Sequence, residues 1–417
     1  MKKLGISLIL VGLVFNPIIA GYLFSSSGKM TGGTWFPINL LLEMFFIAFG
    51  VFILNKSSTL NVKLVFFYIV MIASAGVIIE FGLHVIRRLF SPDEKRIAIS
   101  IYKDQRWARD LLRECGEIGF TYSQYLGWRS EAYDGKYLHV DRNGIRKTVQ
   151  FKDTLAESDT ILVFGGSTVW GTNVRDEGTI PSFLATYFGE NGSNVTVVNH
   201  GERGYNFTQE VLKFILLLRE GSRARIVVFY DGANDILTAY AAGQAGVAGF
   251  TPQMQRIINE KKHSLLKQVA SIIRQYIENH SMIFQSIDRI VLKFSSDMKT
   301  DQDSNLAGSA SLNDLSSDIV DEYRKSYALL DSVARMYRID YRCLLQPVIF
   351  FKVHPTDEEL NADEHSRNSV LSKLYKQTYA RIDSLELPRY NNLSHLFDSS
   401  ANTLYFDYCH VPEEGNA

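Results

Sequence analysis

The chain has 417 residues, of which 46% are hydrophobic and 21% charged, with a formal net charge of −1. That balance leaves no basic excess for a nucleic-acid footprint, and no basic stripe interleaved with aromatics runs through it. The averages hide an asymmetry: the first 90 positions are strongly apolar, whereas the rest read as a soluble domain.

Three apolar stretches open the chain, at residues 4–24, 36–54 and 64–89. Each is near the roughly 20 residues that a helix needs to cross about 30 Å of hydrocarbon. Backbone groups in lipid must be satisfied internally, so such stretches form helices. The expectation for residues 1–90 is a membrane domain of three transmembrane helices, with the lipid bilayer as a partner. Glu43 falls inside the second stretch and there either faces a neighbouring helix, protonated or not, or serves a function. Lys2, Lys3, Lys56 and Lys63 favour one orientation, and Lys29, Arg87 and Arg88 the other. The positive-inside rule therefore leaves the facing open. Met1-Lys2-Lys3 before an apolar run also has the form of a signal peptide.

Residues 91–155 read as a connector rich in Tyr, Arg and Asp, with a hairpin signal at Asn143-Gly144. From residue 156 an alternating pattern begins. The apolar run 160–164, ending in Gly165-Gly166, suits a strand buried on both faces of a parallel sheet. A helix is predicted over 181–188, a strand over 195–198, a helix over 207–219 closed by Gly221, and a strand over 225–230. Residues 240–318 interrupt the alternation as a helical insertion, with amphipathic stretches at 255–273 and 277–294 and a polar loop at 295–318. The insertion reads either as a cap over the site or as a peripheral helical pair. A helix at 321–337, a strand at 341–351, a helix at 366–385 and a last strand at 393–397 complete the domain. Strand and helix in alternation argue for an α/β fold with a doubly wound parallel sheet.

Ligands of an open parallel sheet bind beyond the carboxyl ends of its strands. Four groups of residues fall at such ends. Ser167 follows the first strand, Gly201 and Gly204 the second, Asn234 the third, and Asp407 with His410 the last. A serine hydroxyl is a weak nucleophile that needs a neighbouring base. An imidazole can take that proton near neutral pH, and a carboxylate on its other nitrogen fixes the tautomer and stabilises the imidazolium. The gap between Asp407 and His410 lets both sit on one turn. An oxyanion formed at a carbonyl needs donors already in place; the backbone N–H groups of Ser167 and Gly204 and the Asn234 amide are candidates. His200 and His354 are competing bases, but neither follows an acid by three residues. Asp231 and Asp235, beside Asn234, could pair with Arg203, and Trp170 could line the pocket or belong to the core.

Read singly, each group is an ordinary turn or cap. In this order, they resemble the SGNH (GDSL-like) hydrolase superfamily. The serine block is matched by Gly165–Gly171, the glycine block by Asn199–Gly204, the asparagine block by Gly232–Asp235 and the final block by Asp407–His410. The resemblance covers roughly residues 160–410 without the insertion. It implies a flavodoxin-like three-layer α/β/α fold with strand order 2-1-3-4-5. It also implies that Ser167, Gly204, Asn234 and His410 are the name-giving positions and that Asp407 completes the triad. The segment from Tyr125-Leu126-Gly127-Trp128 to Asn143–Thr148 further resembles bacterial membrane-attached members, which are often associated with modifying envelope polysaccharide or lipid. Two departures stand out. The family's Gly-Asp-Ser is Gly165-Gly166-Ser167 here, and the chain stops at Ala417, where members usually continue into a further helix, which suggests a truncated sequence or an unusual core edge.

The expected protein is a serine-dependent esterase or O-acyltransferase of a bacterial inner membrane, with an extracytoplasmic catalytic domain. Its substrate is an acylated envelope glycan or lipid. The rival expectation is a non-catalytic domain that binds acylated glycans. No Walker loop, dinucleotide fingerprint or His-Glu-x-x-His is present, so neither an organic cofactor nor a metal is expected. Cys115, Cys343 and Cys409 lie too far apart for a disulfide framework and read as separate free thiols.

Overall fold

A computed structural model describes residues 5–9, 46, 49–50, 53, 100–103, 105–151, 159–249, 251, 309–362, 365–366 and 368–417. The chain divides into two compact units, Met1–Ser91 with Phe250–Thr300, and Pro92–Gly249 with Asp301–Ala417. The three expected spans lie, apart from a few residues, outside the described residues, as do the stretches expected at 255–273 and 277–294. Among the described residues, no helix is long and apolar enough to cross a membrane.

The second unit opens with helix α1 (Ala108–Glu117), the hairpin β1 (Phe120–Ser123) and β2 (Gly127–Ser130), and the short pair β3 (Tyr133–Asp134) and β4 (His139–Val140). Strand β5 (Asp159–Gly165), helices α2 (Ser167–Trp170) and α3 (Ile180–Glu190), strand β6 (Val195–Asn199), helix α4 (Phe207–Arg219), strand β7 (Ile226–Asp231) and helix α5 (Ala233–Ala242) follow. After helix α6 (Ser309–Tyr337) come strand β8 (Asp340–Leu345), helices α7 (Asp357–Leu360) and α8 (Ser369–Asp383), strand β9 (Tyr390–Asn392) and the terminal turn α9 (Glu413–Asn416). The five strands pair in parallel in the order β6-β5-β7-β8-β9. Counted along the sheet-forming strands, that is 2-1-3-4-5.

Alternation along β5 explains the layers. Leu162 and Phe164 join one core with Phe207, Phe214, Leu312, Tyr323 and Leu371 from α4, α6 and α8. Ile161 and Val163 join a second core with Val169, Ala185 and Val197 on the α3 side. Helix α4 begins where a capping box fixes it: the Asn206 side chain accepts from Gln209 N–H while the Gln209 side chain reaches back to the Asn206 N–H.

The connector is stitched to the sheet by one buried cation. Arg146 makes isolated bridges to Val140 and to Asn199 of β6, beside the turn at Asn143-Gly144. Its guanidinium is wholly buried and donates to Asp176 Oδ1 at 2.8 Å, to Val174 O at 3.0 Å and to Gly171 O at 3.2 Å, so it holds the loop that follows α2.

Three expectations fail at their boundaries. The strand expected at 341–351 ends at Leu345, just before Pro347, which has no N–H for the ladder, and Ile349–Phe351 form a 3-10 turn. The loop expected at 295–318 is helical from Ser309, because Leu312, Leu315 and Ile319 form an apolar stripe among the serines and aspartates and bury against the main core. The last strand is Tyr390–Asn392 and not 393–397, whose residues make turns after Leu393 N–H pairs with Leu345 O.

Candidate active site

Ser167 opens α2 directly after β5, with Gly166 in extended backbone as its cap. The chain must turn sharply here, and the space beside Gly166 is already filled. A Cβ on Gly166 would lie 2.3 Å from Asn234 Nδ2. A side chain at Gly166 would therefore require the Asn234 amide, carried on the first turn of α5, to shift from where it stands. Asn234 Nδ2 donates to Tyr205 O at 2.7 Å. The neighbouring Gly204 has φ +81°, a left-handed conformation that a side chain would strain.

The third piece arrives from the far end of the chain. The Asp407 carboxylate folds the loop onto itself, accepting from Cys409 N–H at 2.9 Å and His410 N–H at 2.7 Å through Oδ1. This Asx-type turn swings the imidazole back onto the same carboxylate, with His410 Nδ1 2.6 Å from Asp407 Oδ2. The other ring nitrogen, Nε2, lies 2.7 Å from Ser167 Oγ. An ionised carboxylate only accepts, so Nδ1 carries the proton and Nε2 presents its lone pair to the serine hydroxyl. The Phe406 ring stacks on the imidazole at 5.8 Å and 4°, and Ile349 N–H donates to Tyr408 O at 2.9 Å to pin the loop to the 3-10 turn that follows β8.

Electrostatics follow from this geometry. Burial works against charge on both partners, yet the imidazole opposite and the donated hydrogen bonds leave Asp407 below its ordinary range. Burial likewise lowers His410, but the Asp407 charge and its hydrogen bond outweigh that and set it well above the ordinary histidine value. The His410 and Asp407 side chains are 13% and 14% exposed, so the couple is shielded but reachable.

Ser167, Asp407, His410, Asn234 and the Gly204 turn thus lie along one rim. The competing bases do not join them. His200 is buried with Nδ1 unpartnered, stacked on Phe164, and burial with the nearby Lys213 charge pushes it well below the ordinary value. His354 is exposed, in the turn before α7. The pairing of Arg203 with Asp231 or Asp235 does not occur: Arg203 donates to Ile118 O and Gly119 O and lies between the Phe120 and Trp170 rings. Asp235 instead caps α4 by accepting from Phe207 N–H. Trp170 is fully buried core.

Residues that carried no sequence signal hold the rim. Glu202 accepts from Ser130 N–H and Oγ at 2.8 and 2.6 Å, fastening the glycine loop to the connector hairpin. Tyr205 supplies the carbonyl for Asn234. Lys352 and Glu359, both side chains wholly buried, pair at 2.6 Å, and Glu359 also accepts from Leu404 and Tyr405 N–H just ahead of Asp407. Only residue separation hides the last pair, since Thr356-x-x-Glu359 is a readable capping box.

No protein-family model and no curated protein sequence matches the chain. Among solved structures, an acetyl xylan esterase is 12% identical over 62% of this chain and 93% of its own, with a TM-score of 0.34. An extracellular lipase from Streptomyces rimosus is 10% identical over 62% and 95%, with a TM-score of 0.33. A member of the lipolytic G-D-S-L family from Veillonella parvula is 12% identical over 62% and 92%, with a TM-score of 0.31. Likeness at this level carries nothing about reaction or substrate.

Proposed function

We propose that the protein is a serine-dependent hydrolase or acyl-transfer enzyme of the SGNH type, acting on an ester through an acyl-Ser167 intermediate. The observation that carries this reading is the unbroken hydrogen-bonded chain from Ser167 Oγ through the His410 ring to Asp407. Ser167 Oγ attacks the ester carbonyl carbon while His410 Nε2 takes its proton, and Asp407 steadies the imidazolium. The oxyanion meets the backbone N–H groups of Ser167 and Gly204 and the Asn234 amide. The Asn234 nitrogen has a second hydrogen beyond the one given to Tyr205 O, and no other acceptor for it stands among the described residues. Collapse expels the alcohol, which takes the proton back from His410. Water, or a sugar or lipid hydroxyl, then attacks the acyl carbon as His410 takes its proton, and collapse breaks the bond to Ser167 Oγ, which takes that proton back from His410.

The substrate we favour is an O-acyl group of an envelope polysaccharide or lipid, handled by a catalytic domain on the extracytoplasmic side of a bacterial inner membrane. Its support is the three apolar stretches of the sequence and the family resemblance. A non-catalytic glycan-binding domain would need the rim but not a hydroxyl held against an imidazole that a carboxylate orients. Turnover of a p-nitrophenyl ester by the full chain, abolished in Ser167→Ala, tests the reading. Equal turnover in the two proteins, or none in either alongside binding of acylated sugar, overturns it. A reporter fused after Ala417 and active outside the cell supports the proposed facing.

A further inference from the structure

The loop that carries the base also gathers three metal-ligating atoms. An Asp407 carboxylate oxygen, Cys409 Sγ and His410 Nδ1 lie within 4.8 Å of one another. They belong to one four-residue turn, so chain connectivity already holds them together, with Cys409 buried and Asp407 and His410 both nearly so. Cys409 is a free thiol, and Sγ stands 3.6 Å from His410 Nδ1. Tetrahedral zinc bonds sulfur at about 2.3 Å and imidazole nitrogen at about 2.0–2.1 Å, which sets the two ligands about 3.6 Å apart. The sulfur–nitrogen edge is therefore already the length that a bound ion requires. The oxygen–nitrogen edge is not: Asp407 Oδ2 is 2.6 Å from Nδ1, where oxygen and nitrogen on one ion stand about 3.3 Å apart. The carboxylate would have to draw back by about 0.7 Å to ligate.

We propose that Asp407, Cys409 and His410 form a capture site for a borderline or soft divalent cation, zinc or cadmium, and that filling it switches Ser167 off. Three bonds form, from the ion to Sγ, to Nδ1 and to a carboxylate oxygen, with water in the fourth position. Two bonds break, Cys409 S–H and His410 Nδ1–H; the thiol proton leaves to solvent and the ring proton passes to Nε2, so the imidazole stays neutral, with no change of oxidation state. The hydrogen bond between Nδ1 and Asp407 is lost in the exchange. An imidazole with the cation on Nδ1 and its proton on Nε2 has no lone pair left for the Ser167 hydroxyl, and the retreating carboxylate no longer aims it. Cation capture stands on this geometry alone; the loss of activity rests on the serine-hydrolase reading.

The test titrates cadmium chloride into the full chain and follows the ultraviolet thiolate-to-cadmium charge-transfer band, with p-nitrophenyl ester turnover measured in parallel under zinc chloride. The expected result is a band that saturates at about one cadmium per chain and is missing in Cys409→Ser, which keeps Cys115 and Cys343. Saturating zinc should lower wild-type turnover more than tenfold, a chelator should restore it, and Cys409→Ser and Cys409→Ala should keep their turnover in the same zinc. Circular dichroism confirms that each variant is folded, the alanine serving if the serine fails. A band that persists in the folded variant, no band in the wild type, or zinc inhibition undiminished without Cys409 overturns the proposal. A Cys409-dependent band in a protein with no ester turnover would leave the capture site standing and remove the hydrolase reading.

Discussion

Asp407, in the loop before α9, and Asp231, the last residue of β7, are both shielded carboxyls, yet they are opposite in kind. Asp407 is surrounded by donors, two backbone N–H groups and an imidazole, and stays ionised below its ordinary range. Asp231 is 3% exposed, and neither oxygen has a hydrogen-bond partner among the described residues. Burial first, and the Asp235 charge second, push it well above the ordinary carboxyl value. The Tyr323 hydroxyl pulls the other way without meeting hydrogen-bond geometry. Glu210, equally buried and unpartnered, is raised for the same reasons. Depth does not decide which carboxyl is charged; the supply of donors does. One becomes an electrostatic tool at the rim, the other a proton-holding filler between α4 and β7.

The sharpest way to break that contrast is to remove the charge and keep the shape. In Asp407→Asn, kcat/KM should fall by about 10⁴-fold, because the amide leaves His410 in the wrong tautomer. The pH profile checks the cause. The neutral imidazole is the base, and Asp407 holds its proton on, so the wild-type acid limb should lie above 6.5, the ordinary value from which His410 is raised. In the variant the limb should move to lower pH. A limb that stays in place would separate Asp407 from the titration.

The charges behind the rim come next. Lys352→Met strands Glu359 among buried groups, and losing one partner of such a pair costs about 3–5 kcal/mol. Chemical denaturation should read that loss as a lower midpoint. An unchanged midpoint would mean that the pair does not hold the loop before Asp407. Asn234→Ala should lower kcat by about 10²–10³-fold with KM little changed, as expected when one oxyanion donor is lost. A change confined to KM would place the amide in substrate binding instead.

The smallest effect belongs to the silent carboxyl. The unfolded Asp231 titrates near 3.8, and its folded value is higher. Between the two, the folded chain holds a proton that the unfolded chain has lost. The stability tied to that proton is complete below the unfolded value and is lost as pH rises through the folded one. Asp231→Asn should flatten this fall, so its melting temperature should gain on the wild type as pH rises above about 4. A constant difference across pH would show that Asp231 keeps no proton on folding.

Much of the sheet was legible in the sequence, for identifiable reasons. Residues 160–164, 195–198 and 225–230 are short apolar runs, the first closed by glycines, and α4 matches the predicted 207–219 because apolar spacing and the Asn206 cap agree. Strand β9 was not legible, since Tyr390-Asn391-Asn392 is a polar edge defined by pairing with β8 alone. Helix α6 was half hidden, its stripe diluted by serine and aspartate. At the candidate site, Ser167, Asn234, Asp407 and His410 were legible only as an ordered set, since each alone reads as an ordinary turn or cap. Glu202 and Lys352 were not, because each acts through partners that sequence order does not mark; Glu202 reaches Ser130 across 72 residues.

On the proposed reading, Ser167 owes its nucleophilicity to the His410–Asp407 couple. Labelling the full chain with a fluorophosphonate and mapping the adduct by mass spectrometry tests it most directly. One adduct per chain on Ser167, forming faster as pH rises through the His410 titration and nearly lost in His410→Ala, is the predicted result. An adduct on another residue, or labelling of Ser167 at the same rate without His410, would contradict it.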